Sequence, residues 1–414
     1  MTQAIAVVQV TGARPRRPLD LPVLAVLGAV IGIYGWLMFL MSFHHDGIIG
    51  PRWGVPGTDY MVFWEAVQAA WSGDIALLTD SAALTAQLNT TFKDVLSSPL
   101  PPHPWVYPPI FLLALLPFAA LPLYLSYSLF LLVTWLAVLG AGWRWAGPRG
   151  QRLGWFIALA LAPAASNNVQ SGQNAFLTLA LLLGGIGLLG RRDLLAGALL
   201  GLLGFKPQFA ILVPVALVAG GYWRALLAAA ASALLAAAAS AWVFGVALWR
   251  DWIGRTLTHA APGDAAWQEW GRLWGTSVWT CARLLGAPGW LADAAQAAAA
   301  LLAAAAVWRA FRRPLAPPLR LAVLLTAIVL AAPHCSPYDL ILLNTAVLLL
   351  AGHVRDGGAL AVRPLLLILP WYAPVIAVPR VFAVGYAVPL LMLMVLGAAL
   401  FPRSSGLRGA ASVV

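Results

Sequence analysis

Apolar residues in this chain run in long, nearly unbroken stretches, and polar residues gather in short clusters between them. An α-helix needs about 20 apolar residues to cross a hydrocarbon core of ~30 Å. Twelve stretches read as whole or partial membrane helices: 21–42, 124–142, 153–166, 174–190, 193–205, 207–220, 223–248, 290–308, 319–333, 338–352, 364–378 and 381–401. Several hold too few residues to cross alone, and short helices at membrane depth persist where they face protein or a wet cavity. Segment 109–122, with Pro117 and Pro122, reads as a half-helix or re-entrant piece. The pattern predicts an all-α, polytopic integral membrane protein of about 10–13 transmembrane helices, one membrane domain over 1–414 with tails at 1–20 and 402–414.

The segment 43–108 breaks this rhythm and reads as one external loop with helices of its own. Phe63, Ala66, Val67 and Ala70 recur at helical spacing, so 60–72 forms an amphipathic helix, with Thr58 and Asp59 as cap residues and Gly73 as its end. A second helix is expected from Ser81 to Val95. Such helices lie in the interface plane with the apolar face down. Ser97–Pro109, with six prolines, then returns the chain to the membrane as a stiff strap. A second external segment, 249–288, is rich in tryptophan: Trp249, Trp252, Trp267, Trp270, Trp274 and Trp279. These suit either an aromatic belt at the lipid boundary or a platform for sugar rings, with Asp264 and Glu269 as hydroxyl acceptors.

Composition sharpens the class. Apolar residues make up 62% of the 414 positions and charged residues 9%, against roughly 45–50% and about 25% in soluble domains. The net charge of +11 does not point to nucleic acid, because the arginines sit in short clusters between apolar runs. Basic clusters stay in the cytoplasm. Seventeen arginines fall in Arg14–Arg17, Arg144–Arg152, Arg191–Arg192, Arg224, Arg309–Arg320, Arg355–Arg363 and Arg403–Arg408, whereas most acids fall in the alternate polar stretches. That asymmetry puts both termini inside and the 43–108, 249–288 and 333–338 segments outside, which fits a plasma (inner) membrane protein with its site facing the periplasm or exterior. Arg14, Arg16 and Arg17 precede a full-length span with no small-residue cleavage site, so the first span is expected to remain as an anchor. Cys281 and Cys335 are too few for a disulfide framework or a four-ligand zinc site.

Candidate chemistry lies where polar residues interrupt apolar sequence on the predicted outer side. Asp59 is an acid held beside the bilayer; Glu65 and Asp74 are other acids near it. Ser166–Asn174, ending in Gly172-Gln173-Asn174, is a dense run of amides read as an outside turn. Lys206, one of two lysines against twenty-three arginines, sits at membrane depth before Pro207. A mid-membrane lysine costs about 2.5–3.5 kcal/mol on insertion, so it either snorkels or faces a partner. Pro333-His334-Cys335-Ser336-Pro337-Tyr338-Asp339 forms a proline-bracketed turn on the same side. A carboxylate opposite cations suits glycosyl transfer from a lipid phosphate: the acid takes a proton from the acceptor hydroxyl, and the cations offset charge on the departing phosphate.

The ordered set Gly57-Thr58-Asp59-Tyr60, Trp71-Ser72-Gly73-Asp74, Val106-Tyr107-Pro108-Pro109, Leu115-Leu116-Pro117, Gly172-Gln173-Asn174, Phe205-Lys206-Pro207 and Ser336-Pro337-Tyr338-Asp339 resembles glycosyltransferase family 87 over about residues 20–350. The resemblance implies a C-type glycosyltransferase fold, a polyprenyl-phosphate-sugar donor with mannose the best-known sugar, a lipid or glycan acceptor, and inverting transfer. It implies Asp59 as base and Lys206 and His334 at the donor phosphate; Tyr60, Glu65, Tyr107, Gln173, Asn174 and Tyr338 are the residues expected around the substrate. No cofactor is indicated; a divalent cation is compatible with the acidic loops, without visible ligand spacing. A transporter or lipid flippase is the competing class, against which stands the lack of an internal repeat. A non-catalytic scaffold is a third.

Overall fold

A computed structural model describes residues 20–41, 55–96, 99–259, 275–377 and 385–403. Among these the chain is helical, with no β-strand beyond an isolated bridge between Ala359 and Arg403. Five helices are long and apolar enough to cross a membrane: Pro22–Leu40, Leu123–Gly142, Trp223–Phe244, Gly289–Arg312 and Pro337–Arg355. Six more apolar segments, such as Ala175–Leu188 and Pro317–Ala331, span 13 to 15 residues. At 1.5 Å per residue these reach only about 20–22 Å. The protein is an all-α polytopic membrane protein in which short, broken helices pack among longer ones.

In chain order, α1 (Asp20–Met41) leads to the first loop, with α2 (Thr58–Ser72) and α3 (Ser81–Thr91). Then α4 (Ile110–Leu115) and a 3-10 turn (Leu116–Phe118) give way to α5 (Leu123–Gly142). A six-residue helix spans about 9 Å, so 109–122 is the short element its prolines indicate. Expected span 153–166 is instead two helices, α6 (Arg149–Ala160) and α7 (Pro163–Ser171). Pro163 opens the second, because it cannot donate back into the first. Polar run 166–174 is therefore mostly helix, with its turn confined to 172–174.

Next come α8 (Ala175–Leu188), α9 (Asp193–Gly201) running into a 3-10 turn (Leu202–Phe205), α10 (Pro207–Ala210), α11 (Leu212–Ala219) and α12 (Trp223–Phe244). The α9–α12 pair packs backbone to backbone. A Cβ on Gly197 would lie 2.1 Å from the Ala225 carbonyl oxygen, and one on Gly201 2.2 Å from that of Ala229. Small residues four apart make this approach possible where apolar lipid offers no hydrophobic drive. Expected span 223–248 stops at Gly245 (φ 87°), after which α13 (Val246–His259) turns away. The 249–288 segment is thus helical up to His259; Trp267, Trp270, Trp274, Asp264 and Glu269 lie outside the described residues.

The chain continues through α14 (Val278–Leu284), α15 (Gly289–Arg312), α16 (Pro317–Ala331), a 3-10 turn (Pro337–Leu340) and α17 (Ile341–Arg355). α16 is buried on every side from Leu321 to Ala331, and α17 nearly so. These two helices are the centre of the molecule, apolar all round as a core helix must be. Expected span 364–378 is broken into short pieces, including α18 (Ile368–Trp371) and α19 (Ala373–Ile376), by Pro370 and Pro374. The last helix is α20 (Val388–Leu400).

Candidate active site

Five irregular places in the helical structure meet: the start of α2, the proline strap, the α7–α8 junction and the breaks around Lys206 and Asp339. The N-cap of α2 is Gly57 in the left-handed conformation, not Thr58 or Asp59 as the sequence suggested, and no side chain caps the helix. Asp59 lies in the first turn, where the positive end of the helix dipole favours an anion. Its carboxylate is thus left for other work. Gln173 Nε2 donates to Asp59 Oδ2 at 2.9 Å, and Tyr107 donates its hydroxyl proton to Gln173 Oε1 at 3.0 Å. The tyrosine proton fixes which way the amide faces, so the NH2 group points at the carboxylate.

Gly172 is what lets Gln173 arrive there. It takes φ 75°, and a Cβ on it would lie 2.6 Å from Tyr60 Cβ. The backbone of the α7–α8 turn therefore lies directly on α2, where Gly57 N–H also donates to the Gln170 carbonyl oxygen at 2.8 Å. The second oxygen, Asp59 Oδ1, faces His103 Nε2 at 3.7 Å. His103 Nδ1 lies 2.7 Å from the Pro101 carbonyl oxygen, which can only accept, so Nδ1 carries a hydrogen and Nε2 is the nitrogen turned to Asp59.

The strap that carries His103 is clamped from both sides. On α3, Asn89 both donates to and accepts from the backbone of Leu100, and Thr85 Oγ1 accepts the His103 N–H at 3.0 Å. Residues 85 and 89 share one helix face, so a single polar stripe of α3 holds the strap. From α13, Trp252 Nε1 donates to the Val106 carbonyl oxygen at 3.0 Å. Trp252 thereby pins the strap. Trp249 bonds Ser240 and Trp279 bonds Asp293 in the same structural manner.

Behind this lies a buried ion pair. Pro207 disfavours helical geometry at the residue before it, and Lys206 takes φ −136°, ψ 70° between two helical pieces. Its ammonium donates to Asp339 Oδ1 at 2.6 Å and to Asn174 Oδ1 at 3.2 Å, and lies 5.6 Å from the Tyr338 ring centre. Lys206 and Asp339 are 3% and 2% exposed, so the lysine does not snorkel. Asp339 Oδ2 also accepts the Ser336 N–H at 3.1 Å. Gln173 and Asn174, adjacent in sequence, thus join Asp59 to the ion pair.

A cavity of about 70 Å³ opens between these groups, lined by Asp59, His103, Tyr107, Gln173 and Tyr338 with apolar residues of α2 and the strap. Burial pushes the Asp59 carboxyl above the ordinary carboxylate range, with His103 and the Gln173 hydrogen bond pulling the other way. Of the residues singled out from the sequence, Asp59, Tyr107, Gln173, Asn174, Lys206 and Tyr338 are brought together. Three are not. Tyr60 is in the core, its hydroxyl 2.8 Å from Ser126 Oγ and its ring against Tyr127 and Phe130. Glu65 is buried toward Gln87 and Thr91 of α3, because six residues along a helix carry a side chain well round from Asp59. His334 is exposed in the turn after α16 and does not line the cavity. The sequence pattern does not single out two residues of this cluster. His103 has only Pro-His-Pro, between a polar loop and a span, as its sign. Asp339 stands in the sequence as part of the Ser336–Asp339 motif, and only the buried lysine's need of a partner marks it.

A family model described as glycosyltransferase family 87 matches residues 105–337. That stretch exceeds half the chain, and the protein belongs to glycosyltransferase family 87. It is a membrane glycosyltransferase by family. The match includes Tyr107, Gln173, Asn174 and Lys206; it begins after Asp59 and His103 and ends before Tyr338 and Asp339. Comparison with curated proteins and with solved structures gave no match.

Proposed function

We propose that this protein transfers a sugar, mannose in our reading, from a polyprenyl-phosphate donor to a lipid or glycan acceptor at the external face of the membrane, with inversion. The observation that carries it is Asp59: an acid on an amphipathic helix, held by Gln173, facing a cavity beside a buried lysine. The acceptor hydroxyl oxygen attacks the anomeric carbon while the bond from that carbon to the phosphate oxygen breaks. The hydroxyl proton passes to Asp59 Oδ1. His103 Nε2, which faces that oxygen, then shares the proton, which keeps Asp59 from remaining neutral after transfer. An ammonium group has three donors. Lys206 uses two on Asp339 and Asn174, and the third serves the leaving phosphate. Tyr107 and Tyr338 border the same cavity and suit sugar hydroxyls. Polyprenyl phosphate leaves within the membrane, held there by its tail.

The test is incubation of purified protein with radiolabelled polyprenyl-phosphate mannose and cell-envelope lipids. Label is expected in a lipid or glycan product, and none in the Asp59→Asn variant. Transfer from a sugar nucleotide and not from the lipid-linked donor would overturn the reading.

A further inference from the structure

A second cavity lies away from the candidate active site. It is a groove of about 400 Å³ between α1, α6 and α17, at the end of α17 that carries Arg355. Asp339 lies just before the other end of α17, whose fifteen residues span about 22 Å of helix. α1 and α6 touch at Gly32, where a Cβ would lie 1.9 Å from the Leu161 carbonyl oxygen. Gly28, Gly154 and Gly352 are among the residues that line the groove, and a Cβ on Gly154 would meet nothing within 4 Å.

The walls are apolar, but Gln151, Trp155 and Arg355 are among the lining residues. Trp155 is 7% exposed, and its buried Nε1–H has no partner. One helical turn earlier on the same face, buried Gln151 Oε1 has none either. Buried orphan polar atoms each cost about 1–3 kcal/mol, so a matched pair along one wall suits a ligand bearing an acceptor and a donor. Arg355 supplies charge. Its Nε is spent on Asp356 at 3.1 Å, while Nη2 and Gln151 Oε1 lie 3.2 Å and 3.1 Å from the point where a Cβ on Gly147 would sit. Arg152 is tied to the same residue, donating to the Gly147 carbonyl oxygen at 3.1 Å.

We propose that this groove is a binding site for one anionic glycerophospholipid. The phosphodiester rests on Arg355, a headgroup hydroxyl donates to Gln151 Oε1, an ester or phosphate oxygen accepts from Trp155 Nε1, and one acyl chain lies along Gly28, Gly154 and Ala158. The site is distinct from the donor site, since its polar end is at the opposite end of α17. A neutral hydrocarbon satisfies neither orphan, and a zwitterionic choline headgroup brings no hydroxyl and a cation toward Arg355 and Arg152.

Delipidated full-length protein in detergent is titrated with dioleoyl-phosphatidylglycerol or dioleoyl-phosphatidylcholine, reading thermal unfolding and, by native mass spectrometry, bound lipid. Phosphatidylglycerol should bind with one saturating site at least ~10-fold more tightly than phosphatidylcholine, the factor expected for a hydrogen-bonded charge. Arg355→Gln should abolish the preference. Gly154→Leu should abolish the site itself; a Cβ at 154 meets nothing within 4 Å, so the position accepts a side chain that projects from the groove wall, and an unchanged unfolding temperature of the lipid-free variant shows that the fold is kept. Equal binding of the two lipids, or undiminished phosphatidylglycerol binding in Gly154→Leu, overturns the proposal. So does displacement of phosphatidylglycerol by polyprenyl phosphate, which would make the groove a donor-tail channel.

Discussion

At the residue scale, Asp59 and its neighbours make separable predictions. Asp59→Asn keeps the shape and the Gln173 contact but cannot take a proton, so turnover should fall at least ~10²-fold in the transfer assay while donor binding survives. Glu65→Gln should leave turnover near wild type, because Glu65 faces α3; a large loss there would move the base to Glu65. Activity that needs ionised Asp59 is present above its pKa and lost as pH falls through it. Burial raises that pKa, so the acid limb of kcat/KM should lie above 3.8, the ordinary value for this carboxyl. His103 opposes the rise, so His103→Gln should shift the limb further upward as well as lower kcat. A limb that stays in place would leave His103 as a wall of the cavity only.

The Lys206–Asp339 pair needs a different comparison. Removing one partner of a buried pair leaves an uncompensated charge and costs about 3–5 kcal/mol. Lys206→Met alone should therefore lose stability and activity together. Lys206→Met with Asp339→Leu should recover thermal stability but not transfer, if the ammonium serves the donor phosphate. Recovery of both would assign the pair to the fold.

At the scale of elements, the site exists because helices stop. Gly172 ends α7 and lays the turn on Tyr60. Alanine there meets both the positive φ and a 2.6 Å approach, so Gly172→Ala should destabilise by more than the ~1 kcal/mol of an ordinary glycine replacement. It should also weaken the Gln173–Asp59 contact. Thermal unfolding and turnover of the same preparation check both effects. The strap works by rigidity: prolines stiffen it, Thr85 and Asn89 hold one side, and Trp252 the other. Trp252→Phe removes the hydrogen bond to Val106 and keeps the bulk; kcat should drop with little change in stability. These contacts were not legible in the sequence. Proline content announced a stiff segment, but which helix faces grip it depends on how α3 and α13 fold back over it.

At the scale of the molecule, charge clusters and helix lengths make a topology that labelling can check. In a background lacking Cys281 and Cys335, cysteines at the exposed positions Asp74 and His334 should react with a membrane-impermeant thiol reagent in intact cells. Cysteines at the exposed positions Arg149 and Arg313 should not. Labelling of Arg149→Cys from outside would mean that the α4 region crosses fully despite its length. Ser336 is unsuited to this test, being buried against Asp339.

The sequence by itself determined the class, because 62% apolar residues in runs of helical length have no stable arrangement outside a bilayer. It also marked the sites of irregularity, since glycine, proline and buried charge act locally: Gly73, Pro163, Gly172 and Lys206-Pro207 each break a helix for reasons contained in their own residues. Tertiary structure decided which breaks meet. Tyr60 and Glu65 belong to the same helix as Asp59, yet packing turned one into the core and the other toward α3. Asp59 and Gln173 are 114 residues apart, and Lys206 and Asp339 133. No periodicity connects such positions. Their pairing follows from the close packing of short helices, where an amide must find an acceptor and a buried ammonium must find a carboxylate.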